Sequence, residues 1–265
     1  MKFFKAERQF APKQQPILFL DFDGTVSERD VIDQILVEFA DQEWLEIEAD
    51  WVAGRIGSRE CLAKQFELVS ATPGELDEFL TTIKLDAGFS KLLEIIQKFN
   101  VQTQIVSDGF ERYIKFLLQR HAKNFQQSVK SISVWANQLT PVGRNSWTTE
   151  FPYFKKVCED GCATCKPAVI ELVNQKCAPT IFVGDGLSDR YAAERANLLF
   201  AKKKLAKYCT TEKINFTFYE NLNDVAIRLE AILNAVANRQ HSNEDVIFEV
   251  FPPIVPAWKE PIFND

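Results

Sequence analysis

The sequence predicts an α/β protein: a doubly wound, Rossmann-like parallel sheet core with a small helical cap domain inserted into it. Three short apolar runs, Ile17 to Leu20, Val101 to Val106 and Thr180 to Val183, each end in a cluster of acids, glycines and hydroxyls. Helical periodicity lies between the runs. The stretch from the first cluster to the second is about eighty residues, far beyond the usual loop, so a folded insertion is required.

Ile17-Leu18-Phe19-Leu20 is continuously apolar, as expected of a strand buried on both faces in a parallel sheet. Asp21-Phe22-Asp23-Gly24-Thr25 follows, so two carboxylates emerge at the carboxyl end of the strand, where open α/β sheets bind ligands. In extended chain Asp21 and Asp23 point the same way, and Gly24 lets the backbone turn after them. The insertion shows helical spacing at Ile32, Ile35, Leu36 and Phe39, at Trp44, Ile47, Trp51 and Val52, and at Leu62, Phe66 and Val69. Ser58 with Cys61 makes no capping box, whereas Thr72-Pro73-Gly74-Glu75 fits a helix start with proline at its first position. Residues 28–86 are therefore expected to form the cap, residues 1–27 and 87–240 the core, and 241–265 an extended strap.

The second run ends in Ser107-Asp108-Gly109-Phe110, and a helical pattern follows with Tyr113, Ile114, Phe116, Leu117 and Leu118. A hydroxyl and a glycine amide at a helix N-terminus suit an anion, because the first-turn N–H groups are unpaired and the dipole favours negative charge. Lys166 opens a helical stretch to about Gln175. The third run ends in Gly184-Asp185-Gly186-Leu187-Ser188-Asp189, with a helix expected from Leu187 to Arg195. Lys202-Lys203-Lys204 reads as a solvated helix start, and Leu222 to Val236 as the last helix.

Acids, a hydroxyl and a lysine gathered at strand ends and helix starts make a phosphate site with a divalent cation. A phosphate monoester is anionic and repels nucleophiles, so positive charge must be supplied before a carboxylate can attack. Mg²⁺ suits an all-oxygen site. The set resembles the haloacid dehalogenase superfamily, with Asp21-Phe22-Asp23-Gly24-Thr25, Ser107, Lys166 and Gly184-Asp185-Gly186-Leu187-Ser188-Asp189 as its four motifs in order.

The resemblance implies roles. Asp21 and Asp185 offer carboxylate oxygens to Mg²⁺ and Asp23 its backbone carbonyl, while Asp189 acts directly or through water. Asp21 is the nucleophile that forms an aspartyl phosphate, and Asp23 is the general acid and then base. Thr25, Ser107, the Gly109 amide and Lys166 hold the phosphoryl group, Lys166 also balancing charge on Asp21. A cap inserted after the first motif is similar to that of the phosphoserine phosphatase-like subgroup, in which a closing lid admits small molecules.

Gly161-Cys162-Ala163-Thr164-Cys165-Lys166-Pro167 resembles the lead-in to the lysine in methionine-salvage phosphatases acting on 2-hydroxy-3-keto-5-methylthiopentenyl-1-phosphate. Those enzymes also have a strand pair before the lysine, here Ser131 to Ala136 and Trp147 to Tyr153. Asp108 departs from that group and from phosphoserine phosphatases, which have glycine there. A Ser-Asp pair is similar to phosphoethanolamine and phosphocholine phosphatases, where an acid meets a cationic head group. By position within the subgroup, Asp30 and Arg55 are candidate substrate contacts, with solvated helix charges as the alternative reading.

A net charge of -6 argues against nucleic acid as a partner, and only two histidines argue against a histidine-rich metallohydrolase. No run of eighteen apolar residues exists, so no membrane span is expected, and the charged stretch from Met1 to Pro16 lacks a secretory core; a cytoplasmic protein is the default. Cys158, Cys162 and Cys165 are close enough to be free thiols, a disulfide or zinc ligands. Pro252, Pro253, Pro256 and Pro261 forbid a helix in the strap, whose Phe248, Phe251 and Trp258 suit packing on the core or on a second subunit of a homo-oligomer. A phosphotransferase and a non-catalytic binding protein on the same fold are the rival readings.

Overall fold

The computed structural model describes residues 15–121, 129–155 and 160–239. Seven strands form one sheet in the order β4-β3-β2-β1-β5-β6-β7. β1 (Ile17–Leu20) lies between β2 (Thr103–Phe110) and β5 (Thr180–Gly184), parallel to both. β3 (Ser133–Val142) runs parallel to β2, and β4 (Ser146–Glu150) returns antiparallel beside it; a strand pair is present, but it is Gln138 to Val142, beyond the expected Ser131 to Ala136, that pairs with β4. β6 (Leu198–Ala201) and β7 (Thr217–Phe218) extend the other side in parallel. The chain builds outward from β1 on one side and then crosses to β5 on the other, so the switch in strand order falls between β1 and β5.

Alternation along the strands explains why they are apolar throughout. Leu18 and Leu20 enter the core layer that contains α5 (Phe89–Phe99), α6 (Glu111–His121) and α10 (Leu222–Arg239). Ile17 and Phe19 enter the opposite layer, with α7 (Lys166–Val173), α8 (Arg190–Ala193) and α9 (Lys203–Thr211). Phe182 and Phe200 divide in the same way between the two layers. Successive side chains point to opposite faces, so a strand covered on both sides needs apolar residues at every position.

The insertion between β1 and α5 comprises α1 (Val31–Phe39), α2 (Trp44–Val52), α3 (Ser58–Glu67) and α4 (Pro73–Leu80). Its two ends meet in a narrow neck. Ser27 bridges antiparallel to Leu85, Glu28 N–H donates to Lys84 O at 3.0 Å, and Asp86 N–H donates to Val26 O at 2.9 Å. α1 buries Val31, Ile32, Ile35 and Leu36, and α3 buries Cys61, Leu62 and Phe66, while α2 buries no residue fully. α4 starts as its sequence predicts, with Pro73 in the first turn and a reciprocal Thr72–Glu75 capping box.

Several boundaries shift for local reasons. β2 begins at Thr103 because Asn100, left-handed at φ 48°, caps α5, and Val101 N–H still donates back to Ile96 O. α7 stops at Val173, where the Asn174 side chain turns to bond Ala178 and Thr180. The helix expected at Leu187 is a 3₁₀ turn, Leu187–Asp189, that runs into α8. No helix among the described residues is long and apolar enough to cross a membrane. The strap at 241–265, and with it the expectation of a homo-oligomer, lies outside the described residues.

Candidate active site

β1 ends at Leu20, and the next residue, Asp21, still donates its N–H to Val183 O of β5 at 2.9 Å. The backbone then folds over: the amides of Thr25, Val26 and Ser27 all converge on Phe22 O. Gly24 sits at φ 74°, and a Cβ there would lie 2.4 Å from Asp185 Oδ2, so both conformation and space require glycine. The turn begins at Asp23, and the two carboxylates find different partners.

Asp21 meets Lys166 and Asp189. The Lys166 ammonium, only 1% exposed, donates to Asp21 Oδ1 at 2.7 Å and to Asp189 Oδ1 at 2.6 Å. It projects from the first position of α7, which places its stem against the strand ends. Burial alone would lower the Lys166 pKa, but the Asp189 and Asp21 charges more than offset this and hold it above its usual range. Asp189 is fully buried, and its Oδ2 accepts the N–H groups of Asp185 (3.0 Å) and Gly186 (3.1 Å). Oxygens of Asp21, Asp185 and Asp189 come within 4.8 Å of one another. Burial, and then the Asp189 charge, raise Asp21 well above the ordinary carboxylate range in spite of Lys166.

Asp23 has partners of its own. Its Oδ2 accepts from Tyr113 Oη at 2.7 Å and from Ser107 Oγ at 3.0 Å, and its Oδ1 accepts Val31 N–H at 3.2 Å. Burial pushes it up to about 6, against the pull of these hydrogen bonds. Gly109 N–H donates to Ser107 Oγ at 2.8 Å, so the hydroxyl and amide expected to hold phosphate are bonded to each other. β2 runs through Phe110, and α6 begins only after it, at Glu111.

A second tier lies beneath. Thr25, expected at the phosphate, is fully buried; its hydroxyl reaches Asp185 Oδ1 and Tyr219 Oη, each at 3.4 Å. A helix starts at Lys203 as expected, and Lys203 and Lys204 are exposed there, but Lys202 is not solvated. Lys202 is buried, its ammonium 3.8 Å from Asp86 and over the Tyr219 ring. Lys203 donates to Asp185 Oδ2 at 2.9 Å and to Gly24 O at 3.2 Å. The pairing of Gly184 with Ala201 sets β6 beside β5 and so brings this lysine to the site.

The three candidate specificity residues separate. Asp30 caps α1, accepting Asp33 N–H at 3.1 Å, and burial with the Asp23 charge raises its pKa well above normal. Arg55 is not brought to the cluster: its exposed guanidinium pairs with Asp50 at 2.6 Å. Asp108 has both oxygens engaged, Oδ2 by Ser58 Oγ (2.8 Å) and Oδ1 by Thr164 N–H (3.1 Å). Sequence reasoning missed Ser58, Tyr219 and Lys203 here, and it took Tyr113 only as part of an apolar stripe. A tyrosine in such a stripe is itself a signal, since its hydroxyl must find a partner when buried.

Four carboxylates, of Asp21, Asp23, Asp185 and Asp189, thus face two ammonium groups, of Lys166 and Lys203. The donor set is all oxygen and the negative charge is incompletely balanced; burial first, and neighbouring acids after it, raise Asp21 and Asp189 above the ordinary carboxylate range. A hard divalent cation fits these residues. Of the clustered cysteines, Cys165 is a buried free thiol and Cys158 lies outside the described residues.

No family model matches the chain. A curated protein from Exiguobacterium named 2-hydroxy-3-keto-5-methylthiopentenyl-1-phosphate phosphatase is 27% identical over 215 residues, covering 80% of this chain and 96% of that one. One of the same name from Geobacillus kaustophilus is 28% identical over 225 residues, covering 83% and 99%. Among solved structures, a phospho-aspartyl intermediate analogue of phosphoserine phosphatase aligns with TM-score 0.61 at 19% identity, covering 79% of this chain and 95% of that one. A substrate-bound phosphoserine phosphatase complex aligns with TM-score 0.58 at 20% identity, covering 74% and 91%.

Proposed function

We propose that this chain, a small-ester phosphatase with the haloacid dehalogenase fold, is Mg²⁺-dependent, works through an aspartyl phosphate on Asp21, and acts on 2-hydroxy-3-keto-5-methylthiopentenyl-1-phosphate. The observation that carries the reaction type is the buried Lys166 ammonium held between Asp21 and Asp189 at the switch point of the sheet. Burying charge in this way carries a desolvation cost, so a buried ion cluster at the strand ends points to function.

Lys166 binds Asp21 Oδ1, which leaves Oδ2 to attack phosphorus. As the new oxygen–phosphorus bond forms and the ester bond breaks, Asp23 gives its proton to the departing oxygen. A water then attacks phosphorus and loses its proton to Asp23, and the bond to Asp21 breaks to restore the carboxylate and release phosphate. Ser107 and the Gly109 amide exchange their mutual hydrogen bond for phosphoryl oxygens. Thr25 steadies Asp185, and Asp189 steadies Lys166 and the Asp185 backbone. Asp21, Asp185 and the Asp23 carbonyl would hold Mg²⁺, which would supply the positive charge that lets an anionic ester approach carboxylates.

Residues 28–86 serve as the cap, and Asp30, beside Asp23, is the cap residue assigned to the substrate. Two supports favour the enol phosphate: the names of the curated relatives, and the cysteine-rich approach to Lys166. The engagement of both Asp108 oxygens weighs against a cationic head group.

The test is phosphate release from the enol phosphate, phosphoserine, phosphocholine and simple alkyl phosphates, with and without Mg²⁺, for the native chain and Asp21→Asn. Metal-dependent release, fastest on the enol phosphate and lost in the variant, is expected. Equal release by Asp21→Asn would overturn the nucleophile, and preference for another ester would overturn the substrate.

A further inference from the structure

Asp23 Oδ2 accepts two hydrogen bonds, from Tyr113 Oη at 2.7 Å and Ser107 Oγ at 3.0 Å, and the tyrosine makes the shorter one. Tyr113 is completely buried on α6, its ring packed against Phe22 and Phe110. Gly109 is the opening through which its hydroxyl passes. A Cβ at Gly109 would lie 1.9 Å from Tyr113 Oη and 2.3 Å from Asp23 Oδ2.

A carboxylate oxygen has two in-plane lone pairs, so two donors leave no place on Oδ2 for a proton. The proton of a protonated Asp23 therefore resides on Oδ1, the oxygen turned toward Val31 at the start of α1, on the side where the inserted helices lie. When Ser107 turns to a phosphoryl oxygen, Tyr113 stays at 2.7 Å, a closer donor to Oδ2 than Val31 N–H at 3.2 Å is to Oδ1, so the negative charge is better held on Oδ2 and the proton remains on Oδ1.

We propose that Tyr113 is a positioning residue that keeps Oδ2 of Asp23 occupied and presents the transferable proton on Oδ1 to the leaving group. The inference rests on the reading of Asp23 as the general acid. The rival account is that Tyr113 is a core tyrosine whose hydroxyl bonds the nearest acceptor with no part in turnover.

Leaving groups separate the two. An alkoxide needs the proton as it departs, whereas p-nitrophenolate leaves without one. Single-turnover release should therefore be measured for an alkyl phosphate and for p-nitrophenyl phosphate in the native chain, Tyr113→Phe, Asp23→Asn and the double variant. Tyr113→Phe is expected to slow alcohol release about tenfold or more with KM within about twofold, and to slow p-nitrophenol release by less than about twofold. In the Asp23→Asn background the same change should have no further effect. Equal slowing on both esters, persistence of the defect in the double variant, or no slowing at all would overturn the role of Tyr113. If Asp23→Asn itself releases both groups at the native rate, the acid assignment fails first, and the two failures are told apart.

Discussion

Ser58 Oγ donates to Asp108 Oδ2 at 2.8 Å and accepts Ala163 N–H at 2.9 Å, so one hydroxyl at the start of α3 joins the inserted helices to β2 and to the loop before Lys166. Asp108 completes the junction by accepting Thr164 N–H. Backbone contacts run alongside: Arg59 N–H donates to Gly161 O at 3.0 Å, and a Cβ on Gly57 would lie 2.5 Å from that oxygen. The loop carrying Lys166 is thus fixed partly by residues of the insertion.

Asp108→Asn should consequently act on every ester alike. An amide can accept Thr164 N–H but only donate at its other end, so Ser58 must turn from donor to acceptor and the charge assistance of both bonds is lost; hydrogen bonds to a charged group contribute about 1.5–3 kcal/mol. The melting temperature should fall by several degrees, and kcat should drop by a similar factor on the enol phosphate, phosphoserine and phosphocholine. A rise in KM confined to phosphocholine would instead assign Asp108 to a cationic head group.

Arg55→Ala should leave both stability and catalysis nearly unchanged. The Arg55 side chain is 61% exposed, and its guanidinium is bonded to Asp50, itself well exposed. Such pairs contribute about 0.2–1 kcal/mol, and less in salt. Thermal melts and KM values on the ester panel check this, and a several-fold rise in KM would bring Arg55 back to the substrate.

The thiols should divide by burial. Desolvation, with Glu48 next in effect, pushes Cys61 up to about 12, and desolvation with Asp189 pushes Cys209 to about 11, both from an ordinary 9.0. At pH 8 the thiolate of Cys209 is about one part in a thousand, and thiolate is the reactive form. Raising the pH from 8 to 9 keeps both groups below their pKa and mostly protonated. Brief maleimide treatment followed by peptide mapping should label exposed Cys177 and spare Cys61 and Cys209 until denaturant is added. Rapid native labelling of Cys209 would contradict its burial.

What could be read from sequence were features whose cause is local. β1 and β5 are apolar at every position because both faces are covered, and Thr72-Pro73 starts α4 through its own capping chemistry. What could not be read depends on pairing at a distance. Lys203 looks like a surface lysine until β6 is laid beside β5, and Ser58 finds Asp108 fifty residues away.

Lys203 offers a test of the metal site that needs no turnover. Its ammonium bonds Asp185 Oδ2 at 2.9 Å, so it neutralises a proposed ligand and opposes a second positive charge there. Half-exposed, it is well screened, and its removal should tighten Mg²⁺ binding by about two- to tenfold. Lys203 sits at φ 47°, a region unfavourable to any residue with a Cβ, so methionine bears the same backbone strain as lysine and the comparison isolates the charge. Calorimetric titration of Mg²⁺ into the native chain and Lys203→Met gives the ratio of affinities, and the Mg²⁺-induced rise in melting temperature gives it a second time. Weaker binding by Lys203→Met would mean that the ammonium orients Asp185 for the ion more than it competes with it.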